Sequence, residues 1–216
     1  MDTFWHAFWA YILFRKKPYV PLVVLGSILP DLATLLTLGL HFLTQGFGWD
    51  SFTAVRPAIR DSVFGYLAHS MVIIVALAIL SALFWKKALP IFYGMGLHAI
   101  MDYATHYGDN AYPLYPFSTW KIVSPISFWE TTHYSIPFMI VNTLLAVVLM
   151  IYLLHTIKHK DNTLLGLMLF CLAYTLPLIV FFVINSKITE AIMNGIIPLI
   201  FFLWLARKQL FLRSKA

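Results

Sequence analysis

Charge is what this sequence has least of: Asp, Glu, Lys and Arg make up 11% of its 216 residues, against about 25% in an ordinary soluble domain. Hydrophobic residues reach 61%, more apolar surface than a chain of this length can hide from water. A bilayer removes the difficulty, because lipid solvates the outward faces of helices. Cysteine is nearly absent as well. Cys171 stands alone in an apolar run, which excludes an internal disulfide and thiolate-rich metal sites. Internal repeats, low-complexity tracts and polar linkers are missing too. The expectation is therefore one integral membrane domain, residues 1–216.

The net charge is +6, but the basic residues sit in short clusters between apolar runs. That is the placement of topology signals, and it argues against nucleic acid as a partner. A cleaved signal peptide carries its positive charges before the apolar stretch. Here Asp2 comes first, and Arg15, Lys16 and Lys17 follow the short run Phe4 to Phe14, so this segment is expected in the mature protein.

A membrane span needs about 20 apolar residues. Residues 18–44, 62–85, 88–107, 134–156, 163–185 and 188–206 meet that need. Residues 1–14 would extend only about 21 Å as a helix and are expected to form a half-length or re-entrant segment. The fold class expected is all-α: a polytopic transmembrane bundle of about six spans plus a short N-terminal half-helix. Orientation follows from Lys and Arg counted by alternate loops. Arg15, Lys16, Lys17, Lys86, Lys87, Lys158, Lys160, Arg207, Lys208, Arg213 and Lys215 fall on one side. Arg56, Arg60, Lys121 and Lys187 fall on the other. The first side is expected to be cytoplasmic, with the C-terminus, and the long loops 45–61 and 107–133 face outward. Aromatics in those loops (Phe47, Trp49, Phe52, Tyr112, Tyr115, Phe117, Trp120, Phe128, Trp129) suit an interfacial belt.

Ionisable residues inside spans are costly and usually functional. Asp31 follows Pro30 within a span, His69 follows Gly65-Tyr66-Leu67-Ala68, and His98, Asp102 and His106 recur at four-residue steps. Two such steps drift only about 80° around a helix, so all three share one face. At 1.5 Å per residue from the flanking basic clusters, Asp31, His69, His98 and Asp102 lie at about 21, 25, 17 and 22 Å. They occupy one layer about 8 Å thick in the outer half of the membrane. His6 falls at about 14 Å and His106 at about 28 Å by the same count. A set of His and Asp side chains at one depth suits a divalent ion, zinc first and manganese second. Pro30 cannot donate to the Gly26 carbonyl, so a kink there would leave a polar carbonyl in the site. The alternative is a hydrogen-bonded His–Asp network that only joins helices.

An early His6, Leu25-Gly-Ser-Ile-Leu-Pro-Asp31, Gly65-Tyr-Leu-Ala-His-Ser70, His98-x-x-x-Asp102 and Leu114-Tyr-Pro-Phe-Ser118 occur in an order that resembles the YdjM-type inner-membrane proteins. These are described as membrane-bound metal-dependent hydrolases. A looser resemblance runs to zinc-dependent phospholipase C, through Gly-x-x-x-Pro-Asp and His-x-x-x-Asp. The resemblance covers roughly residues 1–120. It implies His6, Asp31, His69, His98 and Asp102 as metal ligands, a bacterial or archaeal cytoplasmic membrane, and a lipid or lipid-like phosphoester approached from the outer leaflet. Asp31 would also belong to the catalytic set. Glu130 or His133 would serve as general base, and Arg56, Arg60 and Lys121 would hold a phosphate. An ion- or proton-coupled transporter and a non-enzymatic protein with a structural metal are the rival readings. Against transport, the polar groups gather in the outer half instead of crossing the membrane.

Orientation is open to direct measurement in a Cys171→Ser background. A Ser118→Cys variant should react with an impermeant maleimide in intact cells, and Lys87→Cys only after permeabilisation. The opposite pattern overturns the orientation.

Overall fold

The apolar runs fold as helices, and their ends fall where the sequence supplies capping or helix-breaking residues. The computed structural model describes residues 3–45, 62–107, 112–156, 162–184, 200, 203 and 204. Among these residues every regular element is helical. Helix α1 spans Thr3–Phe14 and α2 spans Val20–Gln45. Helices α3, Val63–His69, and α4, Met71–Phe84, follow. A 3-10 turn, Lys86–Ala88, leads into α5, Leu89–Thr105. An irregular segment then runs to a second 3-10 turn, Thr131–His133, before α6, Ser135–Thr156, and α7, Asn162–Ile184. Residues 46–61, 108–111 and 157–161, and most of those after 184, lie outside the described set. The sixth expected span, 188–206, is almost wholly among them.

The run at 62–85 reads as one span in the sequence but is two helices, bent by 62° at Ser70. Ser70 is extended at φ −74° and ψ 120°, and its hydroxyl accepts the Ile73 amide as the cap of α4. Ser62 caps α3 in the same way, accepting from Gly65 at 3.1 Å. The strap 112–118 holds the break open. Ser70 Oγ donates to the Tyr115 carbonyl at 2.5 Å, and the Val72 amide donates to Pro113 at 3.1 Å. A serine side chain and a neighbouring loop thus satisfy the backbone groups that the helix interruption frees. His69 consequently ends a short helix instead of lying mid-span.

The core forms around α1. Trp5, His6, Ala7, Phe8 and Ala10 have no exposed surface, while Leu13 in the last turn is 62% exposed, so it is the first part of α1 that is enclosed. α1 packs against α2, α5 and α7. Its two indoles reach polar partners: Trp5 Nε1 donates to Thr175 Oγ1 on α7 at 2.9 Å, and Trp9 Nε1 to Asn142 Oδ1 on α6 at 3.1 Å. Buried tryptophans ordinarily find such partners. Phe14 rings against Tyr19 at one end and Thr3 bonds Asp31 at the other, so α1 runs antiparallel to α2.

Helices α2 and α5 run parallel and meet backbone to backbone. A Cβ on Gly26 would strike the Ile91 carbonyl, and one on Gly94 would strike the Val23 carbonyl and the Ser27 amide. Only glycine permits that approach. Leu80, Leu83 and Phe84 on α4 and Val141, Leu144 and Val148 on α6 are at least half exposed. The outer faces are therefore as apolar as the core. By length and composition, Ser135–Leu153 is long and apolar enough to cross a membrane, and α3 with α4 forms a second candidate if the bent pair counts as one span.

The close crossing makes a paired prediction. Gly94→Ala should destabilise the protein in detergent by about 1–3 kcal/mol through overpacking. Gly96→Ala, whose Cβ would meet only Ile74 Cγ2 at 3.8 Å, should be neutral or stabilising by up to about 1 kcal/mol through helix propensity. Thermal melts of the two variants beside the unaltered protein decide it.

Candidate metal centre

Two turns of the α2–α5 crossing carry its chemistry. One turn beyond Gly94, the His98 ring meets the Ser27 carbonyl at 2.7 Å through Nδ1. A carbonyl only accepts, so Nδ1 carries the proton and the neutral ring leaves Nε2 as a lone pair. The sequence points to the Gly26 carbonyl, freed by Pro30, as the polar group of the site. The carbonyl that His98 engages is the next one along, because the ring reaches across from α5 at the level of Ser27.

His69 is set in the same way. Its Nδ1 lies 2.9 Å from the Gly65 carbonyl within α3, so its Nε2 also presents a lone pair. These two Nε2 atoms stand 3.2 Å apart. Asp102 Oδ2 is 3.1 Å from the His98 Nε2 and 3.5 Å from that of His69. Three acceptors face one another with no donor among them. A cation between them removes the repulsion, either a proton on one ring or a metal ion. The separations allow either. Ligands about 2.0–2.1 Å from a tetrahedral zinc sit about 3.3 Å from one another, close to these three edges.

Two more side chains complete the cluster. Asp31 Oδ1 is 3.8 Å from His98 Nε2, and its Oδ2 accepts the Thr3 hydroxyl at 2.6 Å. His6, with no exposed surface, stacks on His98 with ring centroids 3.8 Å apart. Its Nε2 lies 2.8 Å from Asp102 Oδ1, yet the approach is poorly aligned and neither ring nitrogen makes a hydrogen bond. A buried imidazole whose Nδ1 has no partner is costly, and its place beside Asp102 and His98 suits a ligand role. The donor atoms of His69, His98 and Asp102 fall within 4.8 Å of one another, and so do those of His6, Asp31 and His98. This buried cluster has the chemistry to hold a metal ion, and His98 belongs to both sets.

The sequence-expected ligands His6, Asp31, His69, His98 and Asp102 thus come together from four helices. The depth count sets His6 apart from the others, and the structure closes that gap. Side chains lean toward the N-terminus of their helix. α1 runs opposite to α2 and α5, so His6 leans toward Asp102 while Asp102 leans back toward His6.

Other expected site residues lie elsewhere. Glu130 and His133 pair with each other at 3.1 Å, both partly exposed, and the His133 ring stacks on Tyr107 at 3.6 Å. Lys121 Nζ sits over the Tyr112 ring at 5.5 Å. Arg56 and Arg60 lie outside the described residues. Of the belt aromatics, Phe117 and Trp120 are exposed, but Phe128 is fully buried in the core. The Phe128 amide bonds the Thr105 carbonyl at 2.8 Å and closes the end of α5. Three residues outside the expected ligand set also touch it: His106, whose Nε2 is 3.2 Å from Asp102 Oδ1, Thr3, and Tyr103, whose hydroxyl donates to the His69 carbonyl. The four-residue step to His106 was visible in the sequence. Nothing local marks Thr3 or Tyr103.

Comparison with protein-family models, curated proteins and solved structures finds no match.

If the cluster holds an ion, the purified protein carries a divalent transition metal. His98→Ala and Asp102→Ala should each lower its occupancy by at least about tenfold. His155→Ala, an exposed residue near the end of α6, should keep it. Elemental analysis of the three variants reads the result, and equal occupancy in all of them leaves a purely structural His–Asp network.

Proposed function

We propose that this protein is a membrane-embedded, metal-dependent hydrolase, acting on a lipid or lipid-like phosphoester from the side of the bundle away from its basic rim. The observation that carries the reading is the donor-less triangle of His69 Nε2, His98 Nε2 and Asp102 Oδ2. A network that served only to join helices would place a donor between each pair of acceptors. The order of His6, Asp31, His69, His98 and Asp102 along the sequence also resembles that of the YdjM-type proteins.

The proposed setting is a membrane bundle of six spans with α1 among them. Arg15 to Lys17 end α1, and Lys86 and Lys87 precede α5, so these cations share the end of the bundle where the parallel α2 and α5 begin. Asp31, His98 and Asp102 lie about two and a half to three and a half turns further along those helices. On the positive-inside rule, the cluster belongs to the outer half, where a lipid headgroup can reach it.

His98, His69 and Asp102 would hold the ion, with Asp31 and His6 completing the set. Lewis acidity that activates water and polarises the scissile group is what a divalent ion would supply there. The chain's own part is to exclude bulk solvent: His6 and His98 are fully buried, and the Asp31 and Asp102 side chains keep 24% and 16% of their surface exposed. Access is therefore from the carboxylate side. Glu130 or His133 would act as general base only if substrate binding brings one of them within hydrogen-bond reach of the attacking water. A structural zinc is the second reading, because five neighbouring donors are enough to close the coordination sphere.

Asp31→Asn separates the two. Catalysis requires that this variant lose on the order of 100-fold or more in hydrolysis while keeping part of its metal. The assay uses mixed phospholipids and isoprenyl phosphates with added zinc or manganese. A structural site predicts lower thermal stability for the variant and no turnover by the metal-loaded unaltered protein.

A further inference from the structure

The side chains around the cluster are held by a particular set of groups. His98 is oriented by the Ser27 carbonyl and His69 by the Gly65 carbonyl. Both are backbone atoms, which substitution cannot remove. Asp31 differs, since its Oδ2 is held by the hydroxyl of Thr3 at 2.6 Å, across the interface between α1 and α2. Thr3 is itself buried, at 9% exposure.

That bond has a directional consequence. A carboxylate has two oxygens, and the donor that occupies one determines where the other points. With Oδ2 engaged by Thr3, Asp31 directs Oδ1 toward His98 Nε2, 3.8 Å away. Without the hydroxyl, the carboxylate would rotate about its terminal bond, for which the torsional wells are broad. Asp31 is also the most exposed of the acidic groups in the cluster, with 24% of its side chain accessible, so water would compete for it. Thr3 stands one helical turn before His6 on α1, which brings the hydroxyl and the imidazole to the same face of that helix. The first turn of α1 thereby delivers a candidate ligand to one side of the cluster and orients another.

We propose that Thr3 is the positioning residue of the metal centre: its hydroxyl, by holding Oδ2 of Asp31, aims Oδ1 at the ion and sets the ion's affinity and geometry. This rests on the metal reading above. Hydrogen-bond partners behind metal ligands ordinarily contribute 10–100-fold in affinity.

The test compares the full-length protein in detergent with Thr3→Val, which keeps the shape and removes the hydroxyl, and Thr3→Ser, which keeps the hydroxyl and removes the methyl. Zinc affinity is measured by competition with a chromogenic chelator, and the visible spectrum of the cobalt-loaded protein reports coordination geometry. Thr3→Val should bind zinc about 10–100-fold more weakly and shift the cobalt bands, with its thermal melt in the metal-free state unchanged. Thr3→Ser should restore both to within about threefold. In an Asp31→Asn background, Thr3→Val should have no further effect on zinc affinity, because the carboxylate it orients is gone. Unchanged zinc affinity and cobalt spectrum in Thr3→Val overturn the positioning role alone. So does a Thr3→Ser protein as impaired as Thr3→Val, which would assign the effect to packing of the methyl group. An unaltered protein that binds no metal at any concentration overturns the metal centre, and this assignment with it.

Discussion

The contact between the α2 and α5 backbones at Gly26 and Gly94 is the constraint on which the site depends. Neither position has room for a Cβ, so the helices approach until carbonyls and Cα atoms touch. At that distance His98 reaches the Ser27 carbonyl, and one hydrogen bond determines both the orientation of the ring and the nitrogen that remains free. A helix pair held further apart would leave Nδ1 without its carbonyl and the ring free to turn. Because the two helices run parallel, Asp31 follows Ser27 by one turn as Asp102 follows His98, and the carboxylates arrive on the same level.

The short N-terminal helix completes this arrangement from within. It is too short to cross a bilayer and its first two turns are buried, with its indoles bonded to α6 and α7. Its antiparallel direction brings His6 and Thr3 to Asp102 and Asp31. The break at Ser70 contributes from the opposite flank. An unbroken helix through 62–85 would carry His69 past the cluster, whereas the 62° bend ends α3 on the histidine. The 112–118 strap satisfies the backbone at that break. A polar centre of this kind is costly in an apolar bundle, and it persists where packing holds each acceptor in place.

Much of this was legible in the primary structure, for local reasons. The four-residue step from His98 to Asp102 needs only a helix to put both on one face. The depth of Asp31 follows from counting along a single element. Composition alone points to helices with apolar outer faces, and the helix boundaries of α2, α5, α6 and α7 fall within a few residues of the apolar runs. What failed were expectations that assumed continuity or ignored the direction in which side chains lean. The count treats 62–85 as one rod and follows backbone rise alone, so it misses the bend and the opposed lean of the α1 side chains. Phe128 reads as an interfacial aromatic because the sequence shows only its neighbours, while its amide and ring are used to close α5.

Sequence by itself determined the inventory: which residues are too polar for their surroundings, how far along each helix they lie, and that a divalent ion suits them. Those are properties of composition and of a 1.5 Å rise, and they survive any arrangement of the helices. Tertiary structure alone decided which nitrogen of each ring faces inward, which carboxylate oxygen is left for an ion, and that Thr3 stands behind Asp31. These depend on carbonyls and hydroxyls from other helices or turns, whose positions are set by close packing across a chain separation of up to 71 residues. No pattern in the sequence encodes them one residue at a time.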